Sequence, residues 1–491
     1  MKFQPIVRTI RDLVAAAPDA KAITCEGVTV TRHELDRASN RMARAFESAG
    51  VKLGDFVTLA LPNSIDFYVA LFACWKIGAV PQTVSHRLPN VEREAIVELA
   101  NPALIVGVDP AAHPGRRCFP LGFLPDPSLS DEPLEERISP ILKAATSGGS
   151  TGRPKLILAG IPAVNMVGAG SGPLNMGMQP DDCQLIPGPL YHNTPFVLSV
   201  NGLLEGQHIV VMPAFDALKA LEMIQRYRIT FVNFVPTMLS RMLKVIQEQP
   251  EKYDLSSIRV LWHMAAPCPE WLKQAWIDLI GPEKVWEMYG GTETISVTAI
   301  NGSEWLDHRG SVGKPIAGGQ MKVLTDAGEV AKPGEVGEIY MRGPEGAPPS
   351  YRYVGAEKKE KDGWESLGDL GWMDEDGFLY ISDRRTDMIV VGGANIYPAE
   401  VEAAIDSHPL VRSCAVVGLP DADLGKRVHA VVHADPGLQS EDLLKYLGEK
   451  LARYKVPRSV EFVDYALRDD AGKVRRSAVR DSAIQRLGLA S

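Results

Sequence analysis

The sequence has no run of eighteen apolar residues, so no membrane-spanning helix is expected. Its start, Met1-Lys2-Phe3-Gln4-Pro5, has no apolar signal core, and no secretory leader is expected there. Cysteine is scarce and scattered: Cys25, Cys74, Cys118, Cys183, Cys268 and Cys414 form no C-x-x-C pair. This argues against a disulfide framework or a zinc site and for reduced thiols in a cytoplasmic setting. Positive charge is in deficit, with a formal net charge of −9, which disfavours general nucleic-acid binding. There is no internal repeat, no low-complexity tract and no nucleophile signature such as G-x-S-x-G. His429 and His433 are four apart, but in a strand-like run, so no metal site is expected of them.

What is present is an ordinary globular composition, 45% hydrophobic and 23% charged. A chain of 491 residues is too long for one core and suggests roughly three domain-sized units. Short apolar runs alternate with helical patterns. Phe56–Leu61, Ala79–Val84, Ala103–Val108, His208–Met212, Ile229–Val235, Ile258–His263 and Lys284–Tyr289 read as strands. Leu35–Ala49, Asp66–Lys76, Val91–Ala100, Asp216–Tyr227, Thr237–Gln249 and Pro269–Ile280 read as helices. Thr31 with Glu34 predicts a capping box. The rhythm predicts an α/β fold with doubly wound parallel sheets. Residues 109–139, rich in Pro, Gly and charge, read as a surface excursion. Period-two segments from Met321 to Gly343 suggest a small antiparallel β sub-barrel. The tail reads as a compact α+β unit: strands Cys414–Gly418, Val428–Ala434 and Val460–Val463, and a helix Ser440–Arg453.

The chemistry centres on Ser147-Gly148-Gly149-Ser150-Thr151-Gly152-Arg153-Pro154-Lys155. A strand feeding such a loop lets backbone N–H groups and hydroxyls converge on phosphate oxygens, with a lysine as counter-charge. It is not the Walker loop, because Arg153 stands five residues after Gly148. Nor is there a dinucleotide fingerprint: Gly168-Ala169-Gly170 is followed by Pro173 where the third glycine belongs. Further segments follow in order: Pro189-Leu190-Tyr191-His192, Tyr289-Gly290-Gly291-Thr292-Glu293, and Gly310-Ser311-Val312-Gly313-Lys314-Pro315. Then come Gly368-Asp369-Leu370-Gly371, Gly392-Gly393-Ala394-Asn395-Ile396-Tyr397-Pro398-Ala399-Glu400-Val401-Glu402, and Gly472-Lys473-Val474-Arg475-Arg476. Each alone is unremarkable: a turn, a core histidine, a basic tail.

Together, and in this order, they resemble the acyl-activating, adenylate-forming synthetase superfamily, which includes acyl-CoA synthetases, nonribosomal peptide adenylation domains and beetle luciferases. The resemblance covers nearly the whole chain. It implies a large N-terminal domain (1–383), a hinge (384–388) and a mobile lid (389–491) carrying the catalytic lysine. It implies that ATP is held by Ser147, Gly149, Ser150, Thr151, Gly152 and Lys155 at the phosphates and by Ala265, Ala266, Tyr289 and Gly290 at the adenine. Asp369 and Arg384 would hold the ribose, Glu293 Mg²⁺, and Lys473, His192 and Thr292 would act at the reacting centre. The acid would face His192, Asn193, Phe196, Phe234, Met264, Ala265, Gly290 and Gly291. In those segments no Asp or Lys is obviously placed to pair with an ammonium or a second carboxylate, which favours a hydrophobic aromatic, cyclic or fatty acid.

The implied reaction is ATP-dependent adenylation followed by transfer to coenzyme A. An amine acceptor, giving an amide ligase, is the alternative, and a non-catalytic carboxylate-binding paralogue is a third reading. Three positions depart from the family pattern. Leu156 stands where glycine usually follows the loop lysine, Thr386 at the usual hinge pivot, and Leu424 where coenzyme A ligases often carry an aromatic. A cytoplasmic monomer or homodimer without a membrane span is expected.

Overall fold

A computed structural model describes residues 2–148, 154–167, 176–391, 394–421, 424–469 and 472–489. It is a mixed α/β protein with a large N-terminal and a small C-terminal domain. Among the described residues, two large sheets build the former. One has seven strands in the order Tyr351–Val354, Pro154–Ala159, Ala144–Gly148, Val80–Thr83, Phe56–Leu59, Leu104–Val106, Cys118–Phe119. From Ala144–Gly148 to Cys118–Phe119 all neighbours are parallel; the two strands beyond Ala144–Gly148 run antiparallel. The second sheet has nine strands, with a parallel centre running through Val285–Tyr289, Val260–Met264, Phe231–Phe234, Cys183–Ile186, His208–Val211 and Lys21–Cys25. Parallel strands require crossovers, and the amphipathic helices between them supply these and cover the sheet faces. The expected capping box is present: Glu34 N–H donates to Thr31 Oγ1 at 3.1 Å and Thr31 N–H to Glu34 Oε2 at 2.8 Å.

The helix Ile65–Lys76 is buried on nearly every side, wedged between elements of both sheets, which explains its near-continuous apolar sequence. Six antiparallel strands between Gln320 and Arg384 form a third sheet where the β sub-barrel is expected. The C-terminal domain is a hairpin (Ile389–Val391 with Ala394–Ile396), a three-stranded sheet and helices Pro398–Asp406 and Ser440–Gly448 around one apolar core, with helix Arg476–Arg486 packed in separate small clusters against Ala415, Val417, Leu419 and Val431. The middle helix stops at Gly448 rather than Arg453, because glycine is a poor interior helix residue and the chain turns there. No helix of the described residues is long and apolar enough to cross a membrane.

Candidate active site

Strand Ala144–Gly148 carries the chain toward the phosphate loop, and strand Pro154–Ala159 returns antiparallel with Ser147 opposite Lys155. Gly149, Ser150, Thr151 and Gly152 lie outside the described residues. The Lys155 amine sits 3.3 Å from Glu293 Oε1 and 3.9 Å from the centroid of the Tyr353 ring. Tyr353 donates its hydroxyl to the same Glu293 oxygen at 2.5 Å, and Ser350 Oγ donates to the Glu293 carbonyl at 2.8 Å. Burial and then this carboxylate push the Tyr353 phenol above its ordinary value. Gly291 makes room for the arrangement: a Cβ there would stand 2.7 Å from Glu293 Oε2 and 2.3 Å from Leu367 Cδ1. Among the described residues no cluster of three His, Cys, Asp or Glu exists to cage a metal. A buried carboxylate beside the lysine of the expected phosphate loop would suit Mg²⁺, a cation that takes one or two carboxylates and completes its shell with phosphate and water oxygens.

Tyr289 ends one strand of the nine-stranded sheet, and Asp369 and Arg384 lie opposite each other on an antiparallel pair of the third sheet. The Tyr289 hydroxyl donates to Asp369 Oδ2 at 2.7 Å, and Arg384 Nε donates to Oδ1 at 3.2 Å. Burial and the neighbouring carboxylate push the Tyr289 phenol well up, while Asp369 raises Arg384. Ala265, at the tip of the neighbouring strand, adopts φ 74°, a left-handed conformation that alanine tolerates only at a cost of about 1–2 kcal/mol. Backbone strain of this kind concentrates at functional sites. Thr292 is half-buried beside Glu293, and Ala266 is half-buried next to Ala265.

His192 occupies the N-cap position of helix Asn193–Glu205 without capping it. Its Nε2 is buried with no hydrogen-bond partner among the described residues. Burial, then the nearby Lys473 cation, lower its pKa to about 4, so the ring is neutral. Lys473 comes from the far end of the chain. Its amine is held below the usual lysine value by burial and then by Arg384, and is drawn back up by Asp469 and Glu293. The turn that carries it is fixed by Lys473 N–H to Asp469 Oδ1 and Asp469 N–H to the Lys473 carbonyl, each at 2.9 Å. Gly472 rests on Val235 and Thr237 of the large domain. The Lys473 charge thus acts on His192 and is itself influenced by Glu293 and Arg384, and Lys155 pairs with the same Glu293.

Of the remaining expected pocket residues, Phe196 and Phe234 are fully buried. Phe196 packs edge-on against Phe67 and Trp75, and Phe234 against Phe215. Met264 packs with Leu198, Trp262 and Met178, and Gly290 lies beside Val297. The structure adds two residues that sequence reasoning missed. One is Tyr353, described above. The other is Lys143, whose buried amine donates to Asn193 Oδ1 and lies 5.0 Å from the Phe196 ring centroid. Burial lowers its pKa to about 7. A lysine inside an otherwise apolar strand entry was the available signal.

The family model described as AMP-binding enzyme matches residues 10–351, and the model of the AMP-binding enzyme C-terminal domain matches residues 400–473, ending on Lys473. The chain belongs to the AMP-binding enzyme family. It is a member of the adenylate-forming, acyl-CoA synthetase superfamily. Among relatives of this family, it is 32% identical to a 2-succinylbenzoate–CoA ligase of Bacillus licheniformis, over 94% of this chain and 96% of that one. It is also 32% identical to a feruloyl-CoA synthase of an Amycolatopsis species, with the same coverage of 94% and 96%. Among solved structures of the family, the o-succinylbenzoate CoA synthetase of Bacillus subtilis in complex with its acyl-adenylate intermediate matches with a TM-score of 0.83 at 28% identity, covering 98% of this chain and 99% of that one.

Proposed function

We propose that the chain is an AMP-forming acid–CoA ligase acting on a hydrophobic carboxylic acid, with aromatic acids the first class to test. The reaction is ATP-dependent formation of an acyl-CoA from a carboxylic acid, with release of pyrophosphate and AMP. One observation carries the reading: the turn that carries Lys473, from the C-terminal domain, rests on Val235 and Thr237 of the large domain, with the lysine charge acting on His192 and the amine feeling Glu293 and Arg384. Both named relatives act on aromatic acids and both form CoA thioesters, which supports the acid class and disfavours the amine acceptor. With reduced, unpaired cysteines and these soluble co-substrates, a cytoplasmic location is the natural setting.

In the first step a carboxylate oxygen attacks the α-phosphorus of ATP, and the bond to pyrophosphate breaks. An anion must approach a polyanion, so catalysis rests on positioning and charge stabilisation. Lys473 bridges the carboxylate and the α-phosphate, with Thr292 beside them. Lys155, Ser147, Gly149, Ser150, Thr151 and Gly152 hold the outer phosphates. Glu293 would hold Mg²⁺, which supplies neutralising charge when bound. Tyr289, Gly290, Ala265 and Ala266 form the adenine slot, and Asp369 with Arg384 takes the ribose hydroxyls. Neutral His192 with Asn193, Phe196, Phe234, Met264 and Gly291 borders the acid. In the second step the thiol sulfur of coenzyme A attacks the acyl carbon, its proton goes to solvent, and the C–O bond to AMP breaks. Residues 384–388 form the hinge between 1–383 and 389–491, and its rotation withdraws Lys473 and admits the thiol.

The test is release of AMP from ATP over a panel of aryl, cyclic and fatty acids, with CoA or an amine as acceptor. CoA-dependent AMP release with an aromatic acid is expected. AMP released with amines alone, or with no acid at all, overturns the reading.

A further inference from the structure

The turn carrying Lys473 is bracketed in sequence by two arginines, Arg468 and Arg476, and one carboxylate holds both. Arg468 Nη2 donates to Glu402 Oε2 at 3.0 Å and Arg476 Nη2 to the same oxygen at 2.8 Å. The other oxygen of Glu402 accepts Val416 N–H at 2.9 Å, so the carboxylate is pinned to the central sheet of the small domain. Glu402 is buried, at 4% exposure, and such charge-assisted bonds in a dry setting are strong. Arg468 also donates Nη1 to the carbonyl of Gly472 at 3.2 Å, gripping the residue before the lysine.

Arg476 has a second hand. Its Nη1 donates to Asp387 Oδ2 at 3.0 Å. Asp387 belongs to the segment proposed as the hinge, and its N–H donates to the carbonyl of Arg384 at 3.0 Å. Arg384 in turn pairs with Asp369. A continuous set of polar contacts therefore runs from the expected ribose site, through the hinge segment, to the backbone of the lysine turn.

Resting on the acid–CoA ligase reading above, we propose that Arg476 is a positioning residue that ties the hinge at Asp387 to the Lys473 turn through Glu402 and Arg468. Adenylation needs the turn held in this place and so depends on Arg476. Thioester formation needs the lysine withdrawn and does not.

The experiment measures both half-reactions in the full chain, with ferulate as probe acid, or 2-succinylbenzoate if only that is turned over. ATP–pyrophosphate exchange reads adenylation; conversion of the supplied acyl-AMP to acyl-CoA reads the second step. Arg476→Met is expected to lower kcat for exchange by about 10–100-fold, as loss of a charge-assisted bond does, with KM for ATP and the second half-reaction within about twofold. Arg476→Lys should recover most of the loss. Asp387→Asn added to Arg476→Met should lower exchange no further, since the two share one contact. Equal loss of both half-reactions in folded protein, or no loss in either, overturns the proposal. If Arg476→Met does not fold, Asp387→Asn alone carries the test: the same split supports it and an equal loss overturns it. A wild-type chain that exchanges pyrophosphate with no acid overturns the ligase reading instead.

Discussion

The hydroxyl of Tyr289 donates to Oδ2 of Asp369 at 2.7 Å, across the boundary between the nine-stranded sheet and the antiparallel sheet. Arg384 holds the other oxygen at 3.2 Å, so the carboxylate is fixed in orientation before any ligand arrives. A carboxylate offers about four acceptor sites, which leaves lone pairs for two ribose hydroxyls. Asp369→Asn is expected to raise KM for ATP by about 10–100-fold, the range for hydrogen bonds to a charged group. Tyr289→Phe removes only the orienting bond and should cost a few-fold. An Asp369→Asn enzyme with an unchanged ATP titration would remove Asp369 from the ribose site.

Lys473→Ala is expected to slow adenylation by about 10²–10³-fold, the cost of deleting one preorganised charge stabiliser, while sparing thioesterification of supplied acyl-AMP. The pH dependence has a definite sign. Burial and Arg384 hold the amine below the ordinary lysine value, and the protonated form is the useful one. Adenylation should therefore fade as pH rises through a value below that of free lysine, and the second half-reaction should show no such limb. His192, lowered to about 4 by burial and by Lys473, should leave no inflection near the ordinary histidine value.

The sheets and the motifs that carry the family resemblance were readable before the structure because their signals are local. Thr31 and Glu34 sit three apart and cap one helix; Asp369 stands in a four-residue turn motif; Glu293 follows a glycine pair that only close packing explains. The residues that escaped act across long chain separations. Tyr353 reaches Glu293 from a strand 60 positions away, and nothing in Tyr351-Arg352-Tyr353 says which ring will cross. Arg476 reads as part of a basic tail until Glu402, 74 positions earlier, is brought between it and Arg468. Lys143 stands just before strand Ala144–Gly148, and only packing against Asn193 and Phe196 shows a buried amine, with no carboxylate contact of its own among the described residues.

Glu293→Gln should raise the Mg²⁺ concentration needed for half-maximal pyrophosphate exchange by about tenfold, since a neutral amide is a poorer ligand for a hard cation. Tyr353→Phe, which removes the 2.5 Å bond to the same carboxylate, should shift it less and in the same direction. A Mg²⁺ titration unchanged in Glu293→Gln would take the metal role from this residue.

Lys143 makes a prediction about stability. Burial lowers its pKa from 10.5 to about 7, so between those values the unfolded chain binds more protons than the folded one. Stability therefore rises with pH across that window, and the contribution is flat below about 7. From pH about 7 to 9 the gain should be on the order of 1–2 kcal/mol, and Lys143→Met should abolish this part of the slope. Thermal melting of both proteins at several pH values reads it. Parallel curves would mean that the amine keeps its ordinary affinity for protons.

Gly472 tests whether the lysine turn must sit against the large domain for the first chemical step. Its φ is +73°, and a Cβ there would lie 3.0 Å from Thr237 Oγ1 and 3.3 Å from Val235 Cγ2. Gly472→Ala thus adds left-handed strain of about 1–2 kcal/mol and pushes the turn off its seat. Under the proposed rotation the turn leaves this seat for the second step, so adenylation should fall by about tenfold or more while thioesterification of supplied acyl-AMP holds. Adding Thr237→Ala removes the obstructing hydroxyl but not the backbone strain. Partial recovery of exchange in that double variant would assign the lost part to contact between the domains, and no recovery would assign the whole effect to the turn itself.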